Sequence, residues 1–441
     1  MTTRTIDTTA LDSSAPSAGA KPSRVFPLLV FLVTFGLLLS DYMSRQVLSA
    51  VFPFLKVEWA LSDTQLGALT SVVALTVGLL AVPLSLIGDR WGRSKAIIAM
   101  ATLWSVATLG SAVATSYEHM MAARLFIGLG EAAYGSVGLA VVLMVFSPTR
   151  RASLTGAFMA GGSFGSVLGV FLGGILAVQL GWRWSFGVMA ILGLVLVAVY
   201  ALLINDAKLT RHQHPGNTEI EPEDRPATRT GRAPLRTLVS TPSVICAYVA
   251  SGIQLFVAGT LFAWLPSYLN RAYGLAPDRA GVAAAGLILL MGVGMIVCGM
   301  VTDRISHDAP QRKWTSSLVY VSLSLVLLGA GFSTAPGALQ MLLIAGGTFF
   351  AAGTAGPAGA MVANLTPASI RATAFGTLTM ANNLLGLAAG PVVTGVLADR
   401  LGLADAMQVV PFVSVAVIIA LVVGLRAYPS SVRRARATFP A

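Results

Sequence analysis

Charged residues are scarce in this chain of 441 residues. Asp, Glu, Lys and Arg make up 11% of it, whereas an ordinary soluble domain has roughly 25%. So few charges cannot cover the surface of a soluble fold of this length, and a soluble globular protein is excluded. Hydrophobic residues make up 55%, and the mean hydropathy is +0.78. We therefore expect an all-α chain whose apolar side chains face the lipid bilayer.

Cysteine and histidine are also rare. Cys246 and Cys298 both lie in apolar stretches, which excludes a disulfide framework. The four histidines are in predicted loops and lack metal-ligand spacing: His119, His212, His214 and His307. A phosphate-binding loop of the Walker type and a paired nucleophile and base are also missing from the sequence. We expect no metal, no cofactor and no ATP hydrolysis, so that an ion gradient, most simply of protons, is the energy source.

Apolar runs long enough to cross about 30 Å of hydrocarbon, at roughly 20 residues each, number twelve. Their approximate spans are 26–53, 63–87, 95–115, 118–147, 151–179, 184–204, 243–270, 278–301, 315–334, 337–364, 369–397 and 406–427. Six precede and six follow a polar segment that is too rich in proline and charge to form one helix. The predicted organisation is a disordered tail (1–24), a six-helix bundle (25–204), a linker (205–242), a second bundle (243–428) and a basic tail (429–441).

The basic residues predict the orientation. If the N-terminus is inside, most of the 29 Lys and Arg residues fall on the cytoplasmic side, as the positive-inside rule requires. Both termini and the linker are then cytoplasmic, in an inner or plasma membrane. The net charge of +11 is explained by this bias, and a nucleic-acid partner is not expected.

The two bundles resemble each other in sequence. Arg151-Ala-Ser-Leu-Thr-Gly156 opens the fifth span, and Arg371-Ala-Thr-Ala-Phe-Gly376 opens the eleventh. Asp89-Arg90 recurs as Asp303-Arg304. A parallel repeat of this kind places a site at the interface of the halves near the bilayer midplane, the design of a transporter that rocks about its substrate.

The loop between the second and third spans carries a recognisable motif. Gly88-Asp89-Arg90-Trp91-Gly92-Arg93 resembles the signature loop of the major facilitator superfamily, with the same position among twelve spans. In that family the loop is an ion-pair latch that closes the cytoplasmic side. The resemblance therefore implies the major facilitator fold and a gating role for these residues and for Asp303 and Arg304. The second copy lacks the following glycine and arginine, so we expect it to be weaker.

Four ionisable residues lie within the spans: Asp41 and Arg45 in the first, Arg124 and Glu131 in the fourth. Each costs about 2.5 to 3.5 kcal/mol on insertion scales, which marks it as a functional candidate. A rise of about 1.5 Å per residue puts the two acids at one depth and the two bases at another. Small movements of either arginine can then switch whether Asp41 or Glu131 holds a proton. The alternative is a static ion-pair network that fastens the two helices.

Segments of the second and fourth spans make the resemblance to a family more specific. Arg124-Leu-Phe-Ile-Gly-Leu-Gly-Glu-Ala-Ala-Tyr134 and Leu61-Ser-Asp-Thr-Gln-Leu-Gly67 resemble segments of Spinster-like transporters. The first span departs from that pattern, because its acid, Asp41, lies about one turn away from the expected position. Spinster-like transporters are associated with lysophospholipids and sphingolipid phosphates. The resemblance implies a proton-coupled transporter of such amphiphiles that works by alternating access, and we expect a monomer.

Polar residues that could line the cavity are few, and apolar Phe256, Phe262, Phe349 and Phe350 lie near those of the second half, which favours an amphiphile. The polar candidates are Tyr42, Tyr134, Gln254, Trp264, Thr379, Asn382 and Asn383. Two transporters remain as alternatives: a proton-coupled symporter of small organic anions such as sugar acids, and a drug exporter. A membrane enzyme such as an acyltransferase would need an acid-base pair, for which only Glu118 and His119 are near candidates. A sensor would need an added signalling domain.

Overall fold

The computed structural model describes residues 25–214, 241–367 and 370–438. Within those ranges the chain is helical and has no β-strand, and twelve helices are long and apolar enough to cross a membrane. The predicted fold class is confirmed. The predicted N-terminal tail, most of the linker and the last residues of the C-terminal tail lie outside the described residues.

The twelve crossing helices follow the predicted order, six on each side of the linker. In the first half they are α1 (Val25–Glu58), α2 (Asp63–Trp91), α3 (Arg93–Ala112), α4 (Tyr117–Val145), α5 (Arg151–Gln179) and α6 (Trp182–Leu203). In the second half they are α7 (Pro242–Tyr273), α8 (Pro277–Ile305), α9 (Arg312–Ser333), α10 (Ala338–Leu365), α11 (Thr373–Leu401) and α12 (Leu403–Arg433). A short helix, Asp206–Arg211, follows α6.

The two halves meet along two main seams, α5 against α8 and α2 against α11, with α1 touching α7. We call the side that carries the α2–α3 loop and Asp206–Arg211 the linker face. The opposite side, which carries the α1–α2 and α7–α8 loops, is the distal face. Residues midway along α1, α7 and α11 therefore lie near the interface of the halves.

Small residues let α5 pack closely on α1. Its glycines recur every four residues, and a Cβ atom added at Gly169 would lie 2.7 Å from the carbonyl oxygen of Met43. At Gly173 it would lie 2.8 Å from a methyl group of Val47. Close backbone approach of this kind is the usual source of stability between membrane helices. The packing holds α1 in place just where Asp41 and Arg45 project.

Three helices are interrupted near the middle of their length. The α-helical part of α4 ends at Glu131 and resumes at Tyr134, and α10 is broken between Ala351 and Ala355. In α11 a π-helix runs from Asn382 to Ala388. Wider turns of this type occur often at functional sites. The interruptions coincide with Glu131 and with Asn382 and Asn383, which the sequence singles out.

Candidate functional site

An ion pair joins α1 to α4 in the centre of the first half. Arg45 donates to the Oε2 atom of Glu131 from Nε at 3.0 Å and from Nη2 at 2.5 Å. The Glu131 side chain is 1% exposed, whereas that of Arg45 is 17% exposed. Because α4 is interrupted directly after Glu131, this carboxylate lies at the end of a helical segment. Arg45 is the more exposed member of the pair, so a ligand would contact the pair through Arg45.

Asp41 lies one helical turn before Arg45 and faces the same carboxyl group. It is 4% exposed, and its carboxyl interacts with that of Glu131. The Oδ1 atom of Asp41 and the Oε1 atom of Glu131 are both buried, and no donor within the described part of the chain reaches either of them. Leaving two buried acceptors facing each other is costly. A single proton between them would supply the missing donor to both.

Arg124 is fully buried, and no ion pair of its guanidinium is found among the described residues. It donates instead to three main-chain carbonyl oxygens, those of Leu69 at 3.3 Å, Ser44 at 3.2 Å and Arg45 at 2.9 Å. The guanidinium therefore ties the middle of α4 to both α1 and α2. It holds the backbone from which the Arg45 side chain extends. The structure thus brings the four predicted residues together, with Arg124 behind the other three.

The two tyrosines of the predicted site have different surroundings. The ring of Tyr42 is half-buried and its centre lies 5.5 Å from the Cζ atom of Arg45, within the range of a cation–π contact. Tyr134 is fully buried, and its hydroxyl donates to the carbonyl oxygen of Thr34 at 2.7 Å. Its ring packs edge-on against Trp104 at 4.9 Å. Tyr42 therefore accompanies the ion pair, while Tyr134 lies in the packed interior of the first half.

Polar candidates of the second half hold helices to one another. Gln254 of α7 donates to the carbonyl oxygen of Ala351, at the break of α10, at 2.8 Å. Trp264 donates to the carbonyl oxygen of Pro391 at 3.0 Å and is fully buried. Its ring centre lies 5.2 Å from that of Phe52 of α1. Both residues therefore stabilise the interfaces between helices.

The asparagines lie in the π-helical part of α11. The Oδ1 atom of Asn382 accepts from the Ser251 hydroxyl at 2.8 Å, and Asn383 donates to the carbonyl oxygen of Thr379 at 3.0 Å. The Thr379 side chain is exposed. Ser251 is a partner that the sequence analysis missed, although it lies three residues before Gln254 and so on the same side of α7.

An apolar cavity of about 100 Å³ lies between α5 of the first half and α7, α8 and α10 of the second. Its walls include Ser163, Leu255, Phe262, Met291 and Met295. Ser163 is the polar member among these side chains. The cavity therefore offers an apolar surface to a ligand, at the seam where the halves meet.

A network of charged groups joins the halves at the distal face, and the sequence analysis did not predict it. Asp63 begins α2, behind a capping box formed by Ser62 and Gln65. Its carboxylate accepts two hydrogen bonds from Arg271 of α7, at 2.8 and 2.7 Å, and one from Lys56 at 2.6 Å. A sequence signal was present, because the capping box marks the start of a helix at Asp63.

Asp399 of α11 completes this network from the second half. Its two carboxylate oxygens accept from the backbone N–H of Asp63 at 2.7 Å and from that of Thr64 at 2.9 Å. The Thr64 hydroxyl donates to the same carboxylate at 2.6 Å. A carboxylate at a helix N-terminus is favoured by the helix dipole. The first turn of α2 is therefore capped by a residue of the opposite half, and the distal face is closed.

The predicted gating residues lie at the linker face. Arg90, Arg93, Asp303 and Arg304 are exposed, and Gly92 adopts a φ of 94°, which favours glycine. The side chains of Gly88 and Asp89 lie outside the described residues. The ion-pair latch that the signature loop implies therefore stays a prediction.

Residues 34–346 and 259–440 match the model of the Major Facilitator Superfamily. The hexuronate transporter of Bacillus subtilis is 24% identical over 382 residues, which cover 85% of this chain and 88% of that protein. The sphingosine-1-phosphate transporter of Danio rerio is 24% identical over 393 residues, or 84% of this chain and 75% of that protein. The predicted resemblance to this superfamily and to Spinster-like transporters is confirmed.

The fold is similar to a solved one. A crystal structure of a bacterial homologue of the human lysosomal transporter Spinster, in an inward-facing and unoccupied conformation, superposes with a TM-score of 0.76 at 19% identity. The similarity covers 96% of this chain and 100% of that one.

Proposed function

The chain belongs to the major facilitator superfamily, and on this premise we propose that it couples proton movement to the transport of an amphiphilic anion or zwitterion. It is a multi-pass integral membrane transporter and not an enzyme.

The observation that carries proton coupling is the pair of buried carboxyl groups, Asp41 and Glu131. Each has a buried oxygen that no donor reaches among the described residues. Arg45 binds the other oxygen of Glu131 and is the more exposed member of that ion pair. An anionic head group that binds Arg45 would take this cation from Glu131. The two carboxyl groups, left with one shared proton and one negative charge, would then take up a second proton, because an unpaired buried charge is very costly.

Two observations support an amphiphilic substrate. The apolar cavity between α5 and α8 lies at the interface of the halves, where a hydrocarbon chain could extend from a head group held at Arg45. One relative is a sphingosine-1-phosphate transporter, whose substrate by that name has a charged head group and a long tail. Pockets that are mainly apolar with a few polar anchors suit such ligands. Lysophospholipids and sphingoid phosphates are the substrates we propose.

A small organic anion is the second candidate, because one relative is a hexuronate transporter and matches a similar share of the chain. Such a substrate would also be held by Arg45, but it would need polar partners from the second half. Gln254 retains an Oε1 atom without a donor in the described ranges, and Asn382 lies nearby on α11. The same proton step would serve either substrate.

The contrast between the two faces supports alternating access. The distal face is closed by Asp63, Arg271 and Asp399, while the gating residues of the linker face are exposed. With the linker face cytoplasmic, as the basic residues predict, this contrast supports an inward-facing state. Transport would open the distal network and bring the signature loop against the second half.

The test uses purified protein in two steps. Lysophospholipids, sphingoid phosphates, hexuronates and other small carboxylates are first compared as ligands by the shift of the melting temperature. Ligands that stabilise the protein are then offered to proteoliposomes with and without a pH gradient. We expect stabilisation by the lipids and transport that depends on the gradient. Stabilisation by a sugar acid while every lipid fails would reverse the choice of substrate, and transport indifferent to pH would contradict the coupling.

A further inference from the structure

The segment that follows α6 crosses the linker face of the first half. We call residues 204–214 the strap. Its Leu209 is 2% exposed, and the ring of His212 stacks on Phe26 of α1 with centres 4.3 Å apart. The N–H of His214 donates to the carbonyl oxygen of Met144 near the end of α4 at 3.2 Å. The strap is therefore fastened to the linker-face ends of α1 and α4.

The strap also binds the signature loop, through Asp206. One carboxylate oxygen of Asp206 accepts from the backbone N–H of Ser94 in the first turn of α3 at 2.9 Å. The Ser94 hydroxyl donates to the carbonyl oxygen of Ile204 at 3.2 Å. The other carboxylate oxygen lies so close to Gly92 that a Cβ atom added there would be 2.7 Å from it. The loop between α2 and α3 is thus held against the strap on its backbone side.

The start of α3 depends on this outside residue. Gly92 is the N-cap residue of α3 and has no side chain with which to cap the helix. Asp206 supplies the missing acceptor, and its negative charge is favoured at a helix N-terminus. The loop after α8 differs, because α9 begins behind Gln311, which makes no side-chain cap. The two loops that follow Asp-Arg are therefore anchored differently.

We propose that Asp206 is a positioning residue for the signature loop, holding the backbone of Trp91–Ser94 so that Arg90 and Arg93 can meet the second half when the linker face closes. The proposal rests on the alternating access put forward above. Both arginines are exposed in the present state, and an exposed loop loses conformational freedom when it docks. Asp206 keeps the loop in one conformation while the face is open, so less conformational entropy is lost when the loop docks.

Hydrogen exchange and distance measurements on the full-length protein test the two parts of this proposal. Asp206→Ala removes the cap, Asp206→Asn keeps an acceptor without the charge, and Asp308→Ala is the matched control in the corresponding loop of the second half, where Asp308 is exposed. Exchange of the backbone amides of residues 92–97 reports on the cap. We expect it to rise about fivefold in Asp206→Ala, less in Asp206→Asn and not in Asp308→Ala.

Closure of the linker face is measured as the distance between two spin labels, by double electron–electron resonance. The labels are attached to Ser153→Cys of α5 and Thr315→Cys of α9. Cys246 and Cys298 are replaced by serine. Both label positions are exposed near the linker face. At a pH where the parent protein shows both a long and a short distance, we expect the ratio of short to long to fall about fivefold in Asp206→Ala. Asp206→Asn should lie between, and Asp308→Ala should match the parent.

The outcomes separate this proposal from the proposed function. If the parent protein shows two distances but Asp206→Ala leaves their ratio unchanged, Asp206 does not position the loop for closure, and alternating access stands. If the parent shows one distance at every pH and with every ligand tried, alternating access fails, and the gating role fails with it. Unchanged amide exchange in a folded Asp206→Ala variant would overturn the cap itself. Should Asp206→Ala not fold, Asp206→Asn carries the same comparison at smaller amplitude.

Discussion

The two halves of the molecule have the same helix count but face the central interface with different chemistry. The first half contributes Asp41, Arg45, Arg124 and Glu131, all within α1 and α4. The second contributes amides, Trp264 and an apolar cavity wall. The two halves therefore repeat the same fold with different side-chain chemistry. We expect the first half to handle protons and the second half to choose the substrate.

The largest expected effect comes from removing the buried carboxylate of Glu131 in the first half. Glu131→Gln keeps the shape of the side chain but leaves Arg45 without its carboxylate and Asp41 without a partner for a shared proton. We expect transport driven by a pH gradient to fall to the level of empty vesicles while the protein remains folded. The measurement is uptake or export in proteoliposomes, together with the melting curve.

Glu118→Gln provides the control for this variant, because Glu118 lies on the same helix but is exposed at the distal face. It should transport at the rate of the parent. Gradient-driven transport that survives in Glu131→Gln would show that the ion pair only fastens α1 to α4.

Arg124→Gln tests whether the buried arginine acts on structure or on protons. An amide cannot reach all three carbonyl oxygens that the guanidinium now binds, so buried acceptors would lose their donors. We expect a loss of stability of about 2 to 4 kcal/mol, seen as a lower melting temperature. Arg279→Gln, at the start of α8 and outside this site, should leave the melting temperature close to that of the parent. An unchanged melting temperature in Arg124→Gln would contradict the anchoring role.

The distal network joins the halves, and Arg271→Gln weakens it from the second half. Arg271 is partly exposed, so its pair with Asp63 is worth no more than about 1 kcal/mol. We therefore expect the ratio of distal-open to distal-closed molecules to rise up to about fivefold, since about 1.4 kcal/mol corresponds to tenfold. Spin labels placed across the distal face measure this ratio. A ratio that falls would mean that the network does not hold this face closed.

Asp399→Asn breaks the other arm of the same network. The amide can accept from one of the two backbone N–H groups but cannot replace both carboxylate oxygens. We expect the same direction of change as for Arg271→Gln. The two effects should combine less than additively, because both groups act on the first turn of α2.

Part of this site could be read from the sequence. The twelve spans followed from apolar runs, and Asp41, Arg45, Arg124 and Glu131 stood out because charge within lipid is costly. Rise per residue also put the two acids at one depth. It could not say that Glu131 binds Arg45 while Arg124 turns to main-chain carbonyls. That choice depends on how each helix is rotated about its axis, which packing decides.

The contacts at the two faces could not be predicted from the sequence, for a different reason. Asp399 caps α2 from the far end of the chain, and Asp206 caps α3 from beyond α6. Acidic residues near helix ends are ordinary at a surface, so neither carries a local signal. The capping box at Ser62 and the glycine at position 92 marked where helices begin. They did not reveal which distant residue would complete each cap.

The smallest effect we predict concerns the apolar cavity at the interface of the halves. Gly292 lines the cavity between α5 and α8, and a Cβ atom added there would lie 3.5 Å from Ser163, an ordinary contact. Gly292→Leu should therefore fold while filling space that a hydrocarbon chain would use. Transport of a long-chain lysolipid should fall several-fold, and that of a short-chain analogue or a small carboxylate should change little. Gly299→Leu on the same helix, where an added Cβ atom has nothing within 4 Å, should leave both unchanged. Equal loss for long and short chains would mean that the cavity serves helix packing, and the choice of substrate would then have to lie with Arg45 and the polar residues alone.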